Sequence, residues 1–205
     1  YYNIQIDDAI STVAAQDVVD NCYDSTTFPN DFCNSFTRNR DPSSAQFLGF
    51  TSLNLTTINF VRIETAGVDA TLSYNTSIGE HRLGLTATAS WVDKIDFFFD
   101  PTDLTRIDPE LTELQRPEWS GRATASYGYG SFNFDYTVSY LGEMALRGVE
   151  IETIDAQFGP AGLTGETWMH NISASYEIAD MGLQVFGGIN NLSDVKPFIT
   201  ERAYP

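Results

Sequence analysis

The sequence predicts an all-β fold, an antiparallel up-and-down transmembrane barrel of which about seven strands are present. Three observations predict it: side chains alternate in character along every extended run, tight turns alternate with long polar loops, and aromatics recur at a fixed spacing on one face. The stretch "SFNFDYTVSYLGE", residues 131–143, shows the first. Phe132, Phe134, Tyr136, Val138 and Tyr140 fall on one side, and Asn133, Asp135, Thr137 and Ser139 on the other. Successive strand side chains point to opposite faces, so this segment has one apolar and one polar surface.

Runs of this kind lie at about 1–10, 58–77, 81–99, 118–128, 131–146, 166–178 and 182–190. The first begins in mid-pattern at Tyr1. The second and third carry Val68, Ala70, Leu72 and Tyr74, then Leu83, Leu85, Ala87, Ala89 and Trp91, on their apolar sides. Their polar sides carry Asp69, Thr71, Ser73 and Asn75, then Arg82, Thr86, Thr88 and Ser90. The fourth and sixth add Ala123, Ala125, Ile172 and Ala174 against Arg122, Thr124, Asn171 and Ser173. Tight turns at "SIGE" (77–80), "YG" (129–130) and "ADM" (179–181) alternate with polar loops at 11–57, 100–117, 147–165 and from 191 onward. Short turns at one end and long loops at the other are the layout of outer-membrane barrels.

Periodicity alone also fits a soluble sandwich with one face in a core and the other in water. The aromatics separate the two readings. Phe132 and Tyr140, Tyr127 and Trp119, and Tyr176 and Trp168 each lie eight residues apart on an apolar face, and Trp91 follows Leu83, Leu85, Ala87 and Ala89 on that of the third run. Eight residues at about 3.3 Å span roughly 26 Å of strand, or about 20 Å along the membrane normal at a tilt of roughly 40°. That matches an apolar band between two aromatic girdles, with Val138, Ala125 and Ile172 facing lipid and Thr137, Thr124 and Ser173 facing a wet lumen. A two-residue "YG" turn would set Tyr127 opposite Phe132 and bring Arg122 diagonally against Asp135.

Composition narrows function. Lys and Arg total 11 against 28 Asp and Glu, a net charge of -17. Such a chain repels phosphate, which excludes nucleic acid as a partner. No apolar run approaches the roughly 20 residues of a spanning helix, and "YYNIQIDDAI" lacks the basic and apolar regions of a signal peptide. Transmembrane strands give little hydropathy signal, so neither point argues against a barrel. No phosphate loop, metalloprotease helix or nucleophile elbow is present, and the reading is not an enzyme and calls for no cofactor.

The ordered set "AGVDATLSYNTSIGEHRLGLTATASWV" followed by "GGINNLSDVKPF" resembles the C-terminal barrel region of TonB-dependent outer-membrane receptors. The penultimate strand of that family ends in a segment like Asn190, Asn191, Leu192 and Asp194. Seven strands are an odd number and bacterial single-chain barrels close on an even one, so the chain, residues 1–205, is expected to be part of a larger barrel. The resemblance implies a plugged barrel of about 22 strands that imports a scarce nutrient such as a siderophore, cobalamin, haem or oligosaccharide. Its partners would be outer-membrane lipid, the remaining strands, a plug domain preceding Tyr1, the TonB complex and the nutrient. A passive porin and a soluble all-β binding module are the alternatives.

Within the class, the loop "CYDSTTFPNDFCNSFTRNRD" resembles a disulfide-bearing receptor loop. Cys22 and Cys33, the only cysteines, suit a staple formed in an oxidising compartment, and zinc would need a histidine cluster that His81 and His170 do not supply. His170 falls beside Trp168, where an amphipathic ring suits the membrane interface. The loop "DPTDLTRIDPELTE" gathers Asp100, Asp103, Asp108, Glu110 and Glu113 without an EF-hand pattern, so a solvated acidic surface is favoured over a calcium site. Phe97, Phe98, Phe99 and Phe158, with Asp100 and Asp103, are the candidate ligand contacts, the rings offering stacking surfaces for a sugar or aromatic ligand or packing loop against loop.

Overall fold

The computed structural model describes residues 1–12, 15–55, 57–98, 104–105, 107–146 and 151–198, without side chains at 11 and 58–61. Among them are ten strands: β1 Tyr2–Thr12, β2 Phe36–Arg38, β3 Phe50–Leu53, β4 Thr57–Ile78, β5 His81–Phe98, β6 Asp108–Pro109, β7 Trp119–Tyr129, β8 Phe132–Leu141, β9 Thr167–Ile178 and β10 Leu183–Ile189. Two α-helices, α1 Ala15–Tyr23 and α2 Ile151–Phe158, lie in segments whose polarity predicts only loops. The main sheet runs β1-β4-β5-β7-β8-β9-β10 with β6 against β5, and β2 pairs with β3 separately. Apart from the short β6 and the separate β2–β3 pair, this is a meander of sequential neighbours, the predicted up-and-down order.

The chain forms two compact units, one of residues 1–3, 66–94 and 110–205, the other of residues 4–65 and 95–109. In the first unit the register of β5, β7, β8, β9 and β10 assembles rows across the sheet. One row reads Tyr129, Phe132, Tyr176 and Val185 next to the turns. Leu85, Ala125, Tyr136, Ile172 and Ile189 form another two rows further on. A third sets Gly121, Tyr140 and Trp168 together, and Trp91 opposes Trp119. Gly121 opposes Tyr140, so that ring finds room beside its cross-strand neighbour. The Tyr140 and Trp168 rings meet at a tilt of 45° with centroids 4.5 Å apart.

The other face is a ladder of polar contacts. The Thr124 and Thr137 hydroxyls hydrogen-bond at 2.9 Å, Ser126 Oγ donates to Asp135 at 2.5 Å, and Ser90 Oγ donates to Asp69 at 2.6 Å. Arg82 Nη2 donates to the Gly130 carbonyl at 3.0 Å and to Asn133 Oδ1 at 3.2 Å. Met169 and Leu141 break this polarity at the loop end of the face.

The predicted β7–β8 register is corrected. Phe134, not Phe132, opposes Tyr127, and the two-residue turn is Gly130–Ser131. Gly130 adopts φ 53°, a left-handed conformation that glycine enters without a Cβ penalty, so the turn pivots one residue later than expected. Arg122 accordingly opposes Ser139, and Asp135 takes its bond from Ser126, so the expected Arg122–Asp135 contact does not form. A slip of two positions leaves every side chain on its predicted face. β8 also stops at Leu141 rather than running to residue 146.

Gly67 marks a close approach. A Cβ there would stand 2.5 Å from the Trp91 carbonyl oxygen and 2.5 Å from the Tyr2 hydroxyl, and backbone cannot swing aside as a flexible side chain does. Gly67→Ala is therefore expected to destabilise the sheet by about 1–3 kcal/mol through overpacking. Gly187→Ala, where a Cβ meets nothing within 4 Å, is its control. The urea midpoint of the refolded full-length protein checks this: equal midpoints for the two variants would contradict the contact.

Candidate functional site

In the first unit the tight connections at Gly79–Glu80, Gly130–Ser131 and 179–182 close one end of the strands, and segment 110–118, with the described parts of 142–166, leaves the other. Those two segments are packed together. Ala145 N donates to Thr112 O at 2.8 Å and pairs in a bridge with Leu163, while Met144, Ala145 and Ile154 are buried. Glu110 and Glu113 both pair with Arg116, so these two members of the acidic loop hold a cation belonging to the chain.

Along the apolar face, large side chains remain open to the surroundings: Leu72 is 54% exposed, Tyr176 53% and Val185 55%. Soluble monomers rarely leave a contiguous apolar surface of this extent uncovered. On the same face Tyr136 and His170 satisfy each other, hydroxyl to Nδ1, at 2.6 Å, so neither polar atom is left bare among apolar neighbours.

The second unit contains the cysteine-bearing loop. Cys22, near the end of α1, and Cys33, in the 3-10 turn Asp31–Ser35, form a disulfide with Cα atoms 4.9 Å apart. Val18, Cys22 and Phe32 are buried beneath it, with Cys33 and Phe36 packed against them. Asn30 ties the loop between them: its amide nitrogen donates to the carbonyls of Asn21 at 2.9 Å and Thr27 at 3.0 Å, and its Oδ1 accepts from the Phe32 N–H at 3.0 Å. Asp41 accepts from the Ser43 hydroxyl at 2.7 Å and its backbone N–H at 2.9 Å, and these bonds hold its carboxyl below the usual carboxylate range.

The β2–β3 hairpin follows, with a bulge between Thr37 and Arg38. Arg38 sits among rings, its guanidinium carbon 4.0 Å from the centroid of Phe50, 5.3 Å from Tyr23 and 5.7 Å from Phe36. Its Nε donates to the Tyr23 hydroxyl at 3.0 Å and its Nη1 to the Leu48 carbonyl at 2.7 Å. Tyr23 stacks on Phe28 at 5.7 Å. A cleft of about 640 Å³ opens here between the disulfide, these rings, Arg38 and Arg40. The loop's sequence carries this signal, since Tyr23 and Phe28 lie between the cysteines and Phe36 follows them, with Arg38 and Arg40 next.

Of the expected ligand contacts, Phe97 pairs across to Asp108 in β6 and Phe98 is buried, while Phe158 ends α2 exposed. Phe97 and Phe98 belong to one unit and Phe158 to the other. Phe99, Asp100 and Asp103 lie outside the described residues.

An antiparallel meander with one polar and one exposed apolar face defines the wall of a transmembrane β-barrel. The family described as TonB dependent receptor-like, beta-barrel, matches residues 1–192, and the chain belongs to it. The family is one of bacterial outer-membrane receptors rather than enzymes. No curated protein matches the chain.

Proposed function

We propose that the chain is the C-terminal part of a receptor barrel that captures a scarce nutrient, an oligosaccharide, a siderophore or a similar molecule, at its extracellular loops for uptake energised by TonB. The observation that carries this reading is the exposed apolar face bounded by aromatic rows, on a chain that matches the receptor family over residues 1–192. In this reading Trp91, Trp119, Tyr140 and Trp168 lie at the outer membrane interface, and Tyr127, Phe132 and Tyr176, joined by Tyr129, at the periplasmic one. The polar face lines the lumen and meets a plug domain from elsewhere in the full protein. The long loops carry recognition because a loop varies its chemistry without disturbing the wall that holds it.

Cells carrying the full-length protein, cells lacking its gene and cells lacking TonB test this with radiolabelled oligosaccharide, ferric siderophore, cobalamin and haem. Accumulation of at least one of these is expected to depend on the gene and to fall to background without TonB. Gene-dependent accumulation that persists without TonB would show a passive pore instead.

A further inference from the structure

We propose that the cleft beside the Cys22–Cys33 disulfide is a binding site for a small organic anion bearing a flat ring, an aromatic carboxylate being the simplest example. This rests on the receptor reading and supplies the ligand chemistry that reading leaves open.

The first argument is charge. Acidic residues outnumber basic ones by 28 to 11 in this chain, yet Arg38 and Arg40 line one cleft and neither has an ion pair among the described residues. Arg40 is exposed and makes no hydrogen bond. Arg38 spends Nε on Tyr23 and one Nη1 hydrogen on Leu48, which leaves Nη2 without a protein acceptor. A guanidinium presents five donors in a fixed fork, so an oxyanion is the group that completes this set. The rings around Arg38 hold it in place without neutralising it, since cation–π contact orients a guanidinium while leaving its formal charge intact.

The second argument is shape. Phe28 is 61% exposed and stacks with Tyr23, offering a flat apolar surface beside the cationic group. A ring stacked there would bury apolar area that the protein leaves open, and edge or offset contacts with Phe28 and Tyr23 add to that gain. A sugar satisfies the stacking but not the two arginines. An inorganic anion satisfies the arginines but not the rings. The cleft volume of about 640 Å³ lies within the range of small-molecule sites. The disulfide fixes one wall, so the site is largely formed before the ligand arrives and less ordering entropy is lost on binding.

The test uses the purified full-length receptor in detergent and three fluorinated probes followed by 19F line broadening: 4-fluorobenzoate with ring and charge, 4-fluorobenzyl alcohol with ring alone, and trifluoroacetate with charge alone. Only 4-fluorobenzoate is expected to broaden at low millimolar concentration. Arg40→Gln, at an exposed residue without partners, should weaken it about tenfold or more, the loss expected for one charge-assisted hydrogen bond. Phe28→Leu should weaken 4-fluorobenzoate in a protein whose disulfide, checked by thiol titration, is intact. Equal broadening by the alcohol, absence of broadening by 4-fluorobenzoate, or an Arg40→Gln variant that binds it as the wild type does would each overturn the proposal. Because binding is read without TonB, failure here leaves the uptake experiment standing. Specific 4-fluorobenzoate binding by a protein with no TonB-dependent uptake would keep the cleft and remove the transport reading.

Discussion

Ile172→Arg is expected to reduce the stability of the inserted barrel by about 3 kcal/mol, whereas Ser173→Arg, one residue away, should cost little. Ile172 lies in the row of Leu85, Ala125 and Tyr136, between the row containing Phe132 and Tyr176 and the row containing Tyr140 and Trp168. An arginine on the lipid face near the midplane costs on the order of 2–4 kcal/mol, falling toward zero at the interfaces. Ser173 points the other way, directly across from Asp135. There an arginine gains an opposite-charge neighbour, a contribution of roughly 0.2–1 kcal/mol that offsets its ordering cost. Denaturant unfolding of the two variants of the full-length protein in lipid vesicles measures the difference. Equal losses at the two positions would contradict the face assignment.

The second large effect is expected at the disulfide. Cys22 and Cys33 are 11 positions apart, and closing a loop of that length removes chain entropy worth about 3 kcal/mol in the loop-entropy model. Replacing both by serine loosens α1 against the 3-10 turn and exposes a centre formed by Val18, Cys22 and Phe32. The expected result is localised: protease cleavage between residues 24 and 30 becomes faster and nutrient uptake falls, while the yield of detergent-extracted barrel stays near that of the wild type. Barrel loss without a specific loss of uptake would show that the loop supports folding of the wall and that recognition lies elsewhere.

These two predictions differ in how much of their basis the sequence displayed. The strands were legible because period-two alternation is a local pattern, written in consecutive residues such as Phe132 through Tyr140, and each face needs no distant partner to be read. The β7–β8 register was harder, because Tyr129–Gly130 and Gly130–Ser131 are both acceptable two-residue turns and differ only in where Gly130 sits. The error was confined to pairing because a two-residue slip preserves the faces. It also changed which aromatics align: Tyr129, absent from the expected girdle, pairs with Phe132 and so joins the row of Tyr176, while Tyr127 lies one row further in.

The loops were the least legible part. α1 and α2 have nine and eight residues, too few for helical periodicity to stand out, and they owe their order to the disulfide and to the packing of Ile154 beneath Gly162. The Arg38 cluster draws Tyr23 from the end of α1, Phe36 from β2 and Phe50 from β3. No spacing rule links residues 15 positions before that arginine and 12 positions after it. The cysteine pair was readable because there was only one way to join two cysteines.

The central claim is that the apolar face meets lipid while the polar face meets water. Nitroxide labels placed singly along β8 from Phe132 to Leu141, in the full-length receptor reconstituted in bilayers, test it through relative collision rates with oxygen and with a polar nickel chelate. The account predicts a two-residue period, with oxygen favoured at Phe134, Tyr136 and Val138 and the nickel chelate, or protection from both, at Asn133, Asp135 and Thr137. A profile without alternation, or one that favours the nickel chelate at Phe134, Tyr136 and Val138, would contradict it.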